Sequence, residues 1–335
     1  MSISSQNHLL AVVIPAYKPD FLSKALACLA RQTDQRFNLY ICDDASPADI
    51  QTIAGLALGT RPFVFNRFEE NLGGTSLARH WNRCVALSNE PWVWLFSDDD
   101  LMDDNCVEAF HKFLDRGGES ADLLRFDGWM VDEHDKIIGP LGFDPERETW
   151  LEFAYGYLMN WRRTYMQRLV FRRSALEKAG GFLDLPMCLE SDCAAIIALG
   201  LHRTIRQIPG ARVSWRHSQQ NITPDQSVRM RKQRFRAACL LLRWIKSQLE
   251  GPREHLFADD DAAFQRAMDS FLVNRIMIEG ALPVLANWNL LIHTRSCIGN
   301  GSRLALLKYI VVAAVNDGLS ALGQATKKLA GRSGK

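Results

Sequence analysis

Three consecutive carboxylates, Asp98, Asp99 and Asp100, directly follow the mainly apolar run 91–97. Like charges so close together repel one another, and a nearby cation relieves the repulsion. Carboxylate oxygens are the ligands that Mg²⁺ prefers, and such ions are commonly shared between protein acids and substrate phosphates. The triplet therefore predicts a divalent cation, Mn²⁺ or Mg²⁺, together with the diphosphate of a nucleotide-linked substrate.

The triplet has two other interpretations. A calcium loop starting at Asp98 would place Met102 at a ligand position and Asp103 where a glycine is required, so that template fails. A solvated acidic turn is the second interpretation, and the triplet alone does not exclude it.

The elements that carry these acids alternate along the first half of the chain. β-rich apolar runs predict strands at 8–15, 38–44, 61–68 and 91–97, and helical periodicity predicts helices at 19–33, 50–59 and 76–89. Alternation of this kind predicts an α/β fold, with a mostly parallel sheet covered by helices on both faces. Residues 225–335 have a helical pattern that is richer in Arg and Lys.

Polar segments follow three of these strands. They are "PAYK" at 15–18, "DDAS" at 43–46 and "SDDD" at 97–100. Since ligands of such sheets bind beyond the carboxyl ends of the strands, we expect these segments to meet at one edge. For "DDAS" a plain helix cap or turn is the alternative.

Five segments in order resemble the family 2 glycosyltransferases of the GT-A fold, of the bacterial surface-polysaccharide type. They are "VVIPAYKPDFLSKALACLARQT" (12–33), "YICDDASP" (40–47), "NLGGTSLARHWNRCVALSNEPWVWLFSDDD" (71–100), "LVFRRSALEKAGGF" (169–182) and "WRHSQQNIT" (215–223). The resemblance covers residues 8–223 and implies a Rossmann-like GT-A domain, with a helical C-terminal region after it.

The resemblance implies a donor site at the end of the first two strands. The turn Pro15, Ala16, Tyr17 would hold the nucleotide, with the Tyr17 ring stacked on the base. Asp44 would accept a hydrogen bond from the base, and Asp98 would contact the ribose.

For the metal and the donor phosphates, the resemblance implies Asp99, with Asp100 and His217 as further candidates, and Arg79 as a support for the acidic edge or the donor. The family's Asp-x-Asp element fits 97–100 in either of two registers, because Ser97 stands where many members have the first aspartate.

Family 2 enzymes are generally inverting, so a general base must take the proton of the acceptor hydroxyl. In "CLESDC", Ser191 separates Glu190 from Asp192, which departs from the usual acidic doublet. Asp192 is the first candidate for the base and Glu190 the alternative. A helix cap at Ser191 or Asp192 is compatible with either role.

We expect a GT-A domain at 1–223, with a nucleotide-binding half at about 8–120 and an acceptor half at about 121–223, followed by a helical region at 224–335. The implied reaction moves a sugar from a nucleotide sugar, UDP-linked by analogy, to a saccharide or lipid-linked saccharide. The basic amphipathic stretches 234–249 and 304–315 either pack on the core or contact a membrane surface peripherally.

Composition narrows the class of protein. Lys and Arg total 40 and Asp and Glu 38, which gives no support for a nucleic-acid partner. The eight cysteines are scattered, and the N-terminal stretch has no basic region typical of a leader, so we expect a cytoplasmic protein, at the inner face of the cell membrane if a lipid-linked acceptor is used.

Two alternatives stay beside the transferase hypothesis. A sugar-phosphate nucleotidyltransferase should show a glycine-rich loop after the first strand, whereas residues 15–20 contain no glycine. A catalytically inactive scaffold of the same fold is the non-enzymatic alternative.

Overall fold

The computed structural model describes residues 8–218, 225–250 and 260–287, and also residues 289, 291, 310–312 and 314–315. Contacts divide the chain into two compact units. The first unit is Met1–Tyr157 with Arg162–Asn221, and the second is Leu158–Trp161 with Ile222–Lys335. The predicted segment 304–315 and the end of 215–223 lie mostly outside the described residues.

Strands and helices alternate through the first unit, and helices alone follow. The strands are β1 Leu10–Ala16, β2 Asn38–Asp43, β3 Val64–Arg67, β4 Trp92–Leu95, β5 Leu101–Met102, β6 Leu123–Val131, β7 Ile137–Pro140, β8 Arg147–Glu148, β9 Leu169–Arg172 and β10 Ile205–Arg216. The helices are α1 Leu22–Ala30, α2 Ile50–Leu58, α3 Leu77–Val85, α4 Cys106–Asp115, α5 Trp150–Leu158, α6 Arg173–Lys178, α7 Ser191–Gly200, α8 Val228–Leu249, α9 Asp260–Glu279 and α10 Ala281–Ala286.

The strands form one ten-stranded sheet with the order β3-β2-β1-β4-β9-β6-β10-β5, to which β7 and β8 are added through β6 and β10. Strands β3, β2, β1 and β4 are parallel, and so are β6 and β10. β9 runs antiparallel between β4 and β6 and joins the two parallel groups. The predicted α/β fold with a mostly parallel sheet is confirmed.

Burial explains why the central strands form. Every residue of β4 is buried, and β1 is buried apart from Pro15, as expected for strands covered on both faces. On α1, the predicted stripe of Leu22, Ala25, Leu26 and Leu29 is fully buried against this sheet. The sequence pattern did not predict α4 and α5, of which α5 carries Tyr157, the partner of Glu190.

The second unit is helical in the residues described. Ser227 caps α8 by accepting the backbone N–H of Met230 at 3.2 Å, and α8 packs against α9 and α10. Its apolar face, including Phe235 and Ile245, is buried in this packing, which favours the packing interpretation for 234–249. Among the described helices none is long and apolar enough to span a membrane.

Candidate functional site

The register of the sheet brings the polar strand ends together. Ala16 pairs with Asp43 across β1 and β2, and Val13 pairs with Leu95 across β1 and β4. Arg216 pairs with Val131, so β10 and β6 end at the same level. β9 is antiparallel to β4 and β6: its first residues lie beside the carboxyl end of β4, and Leu169 pairs with Arg125 of β6, so residues 165–168, which precede β9, run on toward the carboxyl end of β6. We call this edge the rim; it comprises residues 15–18, 43–46, 97–100, 131–135, 165–168 and 216–217.

Asp98 fixes the turn that follows β1. Its Oδ2 accepts the backbone N–H of Tyr17 at 2.9 Å and that of Lys18 at 3.0 Å. The Tyr17 carbonyl in turn accepts the Ser46 hydroxyl at 2.6 Å, while the Tyr17 side chain is 40% exposed. Two predicted donor residues are thus in direct contact, and the aromatic ring remains open to a ligand.

Asp99 and Asp100 are both tied to one distant residue, Arg216. The Arg216 backbone N–H donates to Asp100 Oδ1 at 2.8 Å, and its Nε donates to the Asp99 carbonyl at 2.7 Å. The guanidinium also donates to the Asp132 carbonyl at 2.9 Å and lies 2.6 Å from the Asp135 carboxylate. Arg216 is fully buried, and no motif in the sequence had indicated a role for it.

The triplet is electrostatically costly. Burial, and after it the charge of Asp99, raise the pKa of Asp98 to about 6. The same two causes raise the pKa of Asp100 well above its usual range, and burial raises that of Asp99 against the opposing effects of Lys18 and Arg216. Arg216 and Lys18 therefore relieve only part of the repulsion.

Asp44 is enclosed by the loop between β3 and α3. It is 2% exposed, and its Oδ1 accepts the Leu72 N–H at 3.0 Å and the guanidinium of Arg83. Its Oδ2 accepts the Gly73 N–H at 2.8 Å. With both oxygens bonded, Asp44 shapes this loop, and its contact with a nucleotide base stays a prediction.

The cation that supports this acid differs from the predicted one. Arg79 is exposed, and within the described part of the chain its side chain makes no ion pair. Arg83, one turn further along α3, binds Asp44 and lies over the Phe68 ring at 3.8 Å. His80, 3.1 Å from Asp44, is buried, and this burial lowers its pKa to about 4. Arg79 and Arg83 belong to the same sequence segment, and only their positions on the helix decide which of them meets Asp44. The sequence motif therefore could not identify Arg83.

The predicted metal residues are not assembled into a ready-made cluster. In the part of the chain that the structure describes, no three His, Cys, Asp or Glu side chains are placed to hold an ion together. Asp100 is engaged with Arg216, and the His217 ring lies 5.5 Å from the Trp215 ring centroid. Hard carboxylate oxygens at Asp98 and Asp99 nevertheless suit Mg²⁺ or Mn²⁺, which often complete their coordination with substrate phosphates.

The candidate base lies at the same edge of the sheet. The backbone of Met166, whose turn precedes β9, lies close enough to the Asp192 carboxylate to favour its ionised form. That turn is bound to β4 through the Trp94 indole N–H, which donates to the Gln167 carbonyl at 2.7 Å. Burial, and after it the charge of Glu190, raise the pKa of Asp192 to about 7. A carboxyl with this pKa is suited to exchange protons near neutral pH.

Glu190 is held differently from Asp192. Its carboxylate accepts the hydroxyl of Tyr157 on α5, and its backbone is left-handed, with φ 67°. Met187 and Cys188 also have positive φ, at 55° and 57°. Strain of this kind costs about 1–3 kcal/mol per residue and is concentrated at functional sites. The segment before α7 is therefore held in a strained shape.

The Gly-Gly-Phe segment fixes this strained loop to the donor side. The Phe182 N–H donates to Asn82 Oδ1 at 2.8 Å, and a side chain at Gly181 would approach that oxygen to 2.6 Å. The Ser76 hydroxyl donates to Asp184 at 2.7 Å. Helix α3 therefore contacts both the Asp44 loop and the segment leading to Asp192.

Comparison with known proteins identifies the class. Residues 11–172 match the family model described as "Glycosyl transferase family 2". No curated protein matches the sequence. The structure resembles S. aureus TarS 1–349 in complex with UDP-GlcNAc, with TM-score 0.66, 15% identity, and coverage of 87% of this chain and 81% of that one.

A second crystal structure of TarS 1–349, in complex with UDP, gives TM-score 0.51 at 15% identity, with 86% of this chain and 87% of that chain covered. At 15% sequence identity, this structural similarity shows a shared fold. Residues 11–172 thus match glycosyltransferase family 2, and the structure has the GT-A fold of a glycosyltransferase.

Proposed function

We propose that the protein transfers a sugar, with inversion, from a UDP-sugar to a saccharide or a lipid-linked saccharide during synthesis of a cell-surface polysaccharide such as O-antigen, capsule or exopolysaccharide. The observation that carries the proposal is the rim, where the Tyr17 turn, the acidic triplet and Asp192 come from distant parts of the sequence to one edge of the sheet. The TarS complexes, with UDP-GlcNAc and with UDP, support a nucleotide-sugar donor.

The donor's base stacks on the exposed Tyr17 ring in this proposal, and the turn 15–17 carries it. Asp98 Oδ1, which has no partner among the described residues, accepts from the ribose while Oδ2 holds the turn. Asp44 acts through the 72–73 loop that it fixes, and the exposed Arg79 reaches the donor. The predicted domain division at about residue 223 stays a prediction.

A divalent ion, Mn²⁺ or Mg²⁺, would be held by Asp99, with Asp100 and His217 nearby and the donor's phosphates completing its shell. When bound, it would neutralise charge on the departing diphosphate. The raised pKa values in the triplet fit this role, because a cation favours the ionised carboxylates that burial disfavours.

Asp192 is proposed as the general base. It takes the proton of the acceptor hydroxyl as that oxygen attacks the anomeric carbon, and the bond from that carbon to the diphosphate breaks. Glu190, already bonded to Tyr157, keeps the α7 N-terminus in place, and burial together with the Glu190 charge keeps the Asp192 pKa near 7. The exposed basic residues of α8 suit a peripheral contact with anionic lipid, consistent with a lipid-linked acceptor at the inner membrane face.

Thermal unfolding with UDP-, GDP- and dTDP-sugars, with and without Mn²⁺, tests the donor and the metal. A bound donor stabilises the fold by mass action, by about 2.7 kcal/mol at a hundredfold excess over Kd. We expect a UDP-sugar to raise Tm more with Mn²⁺ than without, and Asp99→Asn to remove that difference. Asp104→Asn, at an exposed acid paired with Arg31, is the matched control.

The outcomes separate the hypotheses. If no nucleotide sugar raises Tm, the donor proposal is wrong. If donors bind but no nucleoside diphosphate is released with any acceptor extract, the scaffold alternative is favoured. If Asp192→Asn turns over at the native rate, Asp192 is not the base.

A further inference from the structure

A pair of aromatic rings at the rim has no role in the donor site described above. Tyr165 precedes the turn Met166–Arg168, and Trp215 is the penultimate residue of β10. Their ring centroids lie 5.2 Å apart with the planes tilted by 45°, and both residues are half-buried. The exposed His217 flanks Trp215.

The pair lies across the sheet from the triplet's cation. Successive side chains of a strand point to opposite faces, so Trp215 and Arg216 face opposite ways. Arg216 extends over the Phe21 ring beside α1, at 4.3 Å. Trp215 instead meets Tyr165, which belongs to the turn before β9. The aromatic pair is thus separate from the groups that hold the triplet.

The same turn places the pair beside the candidate base. The backbone of Met166, the residue after Tyr165, lies close enough to the Asp192 carboxylate to favour its ionised form. An acceptor that reaches Asp192 therefore comes close to the turn that Tyr165 precedes. Tyr17, which serves the nucleotide base in our proposal, lies at the end of β1, and strands β4 and β9 stand between β1 and β6 in the sheet order.

The polar tips of both rings are unused. Neither the Trp215 indole N–H nor the Tyr165 hydroxyl has a hydrogen-bond partner among residues 8–218 or the other described segments. Among the described residues, the buried polar atoms without a partner include neither the Trp215 indole nitrogen nor the Tyr165 hydroxyl oxygen. Both atoms are therefore accessible to solvent. Half-buried Trp and Tyr normally satisfy these groups, so two free donors on adjoining rings suit a polar ligand with an apolar face.

We propose that Trp215 and Tyr165 form the acceptor subsite, on which a pyranose ring of the saccharide acceptor stacks. A pyranose has this chemistry: its C–H face is apolar, and its hydroxyls project from the edge, where the indole N–H and the phenol can bond them. The inference rests on the proposed function, since it is the acceptor side of that reaction.

The test uses the full chain labelled with 5-fluorotryptophan, followed by ¹⁹F NMR, with Trp215→Phe assigning the Trp215 resonance. Methyl glycosides of glucose, galactose and N-acetylglucosamine are the probes, without a donor. We expect at least one glycoside to shift the Trp215 resonance of the native chain. Isothermal titration calorimetry, which does not need that resonance, should show that Trp215→Ala weakens binding of this glycoside about tenfold. Trp215→Phe and Tyr165→Phe, which keep the rings but lose the donors, should weaken binding less than Trp215→Ala does.

Phe143→Ala is the control, since Phe143 is 79% exposed and should leave glycoside binding unchanged. The inference is overturned if no glycoside moves the Trp215 resonance, if Trp215→Ala binds as tightly as the native chain, or if nucleotides alone move that resonance. Donor binding, measured separately by thermal shift, decides the proposed function. If the donor binds but no glycoside shifts the Trp215 resonance, the acceptor subsite is wrong and the proposed donor site is unaffected.

Discussion

Replacing Asp192 by asparagine should stabilise the protein while abolishing turnover. Asparagine keeps the shape of the side chain and an oxygen for the backbone of Met166, but it removes the ionisable group. Because burial and Glu190 raise the Asp192 pKa from 3.8 to about 7, the native fold resists ionisation of this carboxyl. We therefore expect the ionisable carboxyl at position 192 to lower the free energy of unfolding.

The size and the pH window follow from the pKa. A group whose pKa is higher in the folded state binds protons on folding, so its cost begins above about pH 4, grows up to about pH 7 and is then constant. The rise from 3.8 to about 7 corresponds to about 4 kcal/mol at about 1.4 kcal/mol per pH unit. Since the side chain is only half-buried, we expect roughly half of that, about 2 kcal/mol.

Thermal and urea unfolding at about pH 4.5 and about pH 8 would measure this difference. We expect Asp192→Asn to raise Tm by about 4–8 °C at the higher pH and to have little effect at the lower one. Asp115→Asn, at an exposed acid that ends α4, should show no such pH-dependent gain. Release of nucleoside diphosphate in the presence of acceptor should fall to background in Asp192→Asn alone.

Equal effects of Asp192→Asn at both pH values would refute the electrostatic reasoning, because a lost ionisation acts only where the carboxyl is ionised. Destabilisation at the higher pH would show that the carboxylate is favoured by its surroundings. If Asp192→Asn is more stable than the native protein but turns over at the native rate, the electrostatic reasoning stands and Asp192 is not the base.

Two further predictions concern the loops around the site. Gly73→Ala would bring a Cβ to 2.6 Å from Asp44 Oδ2. It should lower the free energy of unfolding in urea by about 1–3 kcal/mol and weaken donor binding in a thermal-shift assay. The control Gly55→Ala, whose Cβ would have no atom within 4 Å, should be neutral or stabilising, and equal effects of the two variants would contradict the Gly73–Asp44 contact. Tyr157→Phe removes the hydroxyl bonded to Glu190 and should lower the urea-unfolding free energy by about 1–3 kcal/mol, whereas an unchanged value would show that this bond does not hold the loop.

Much of the fold could be predicted from local pattern. The strand and helix periods of residues 8–97 are set by side chains close in sequence, and the observed elements β1 to β4 and α1 to α3 follow them. The rule that parallel strands end at a common edge then places Tyr17 near Asp98, and the two are bonded. Helices α4 and α5 lie outside the strand–helix alternation of residues 8–97, and the sequence analysis did not predict them.

The amino-acid sequence by itself determined that acids and an aromatic turn would meet at one edge of an α/β sheet, because strand ends and turn chemistry are local properties. Only the tertiary structure decided which partners they have. Arg216 reaches the triplet from 116 residues away, and Tyr157 reaches Glu190 from 33. Such contacts depend on how β10 and α5 pack in three dimensions, and no local spacing encodes that packing.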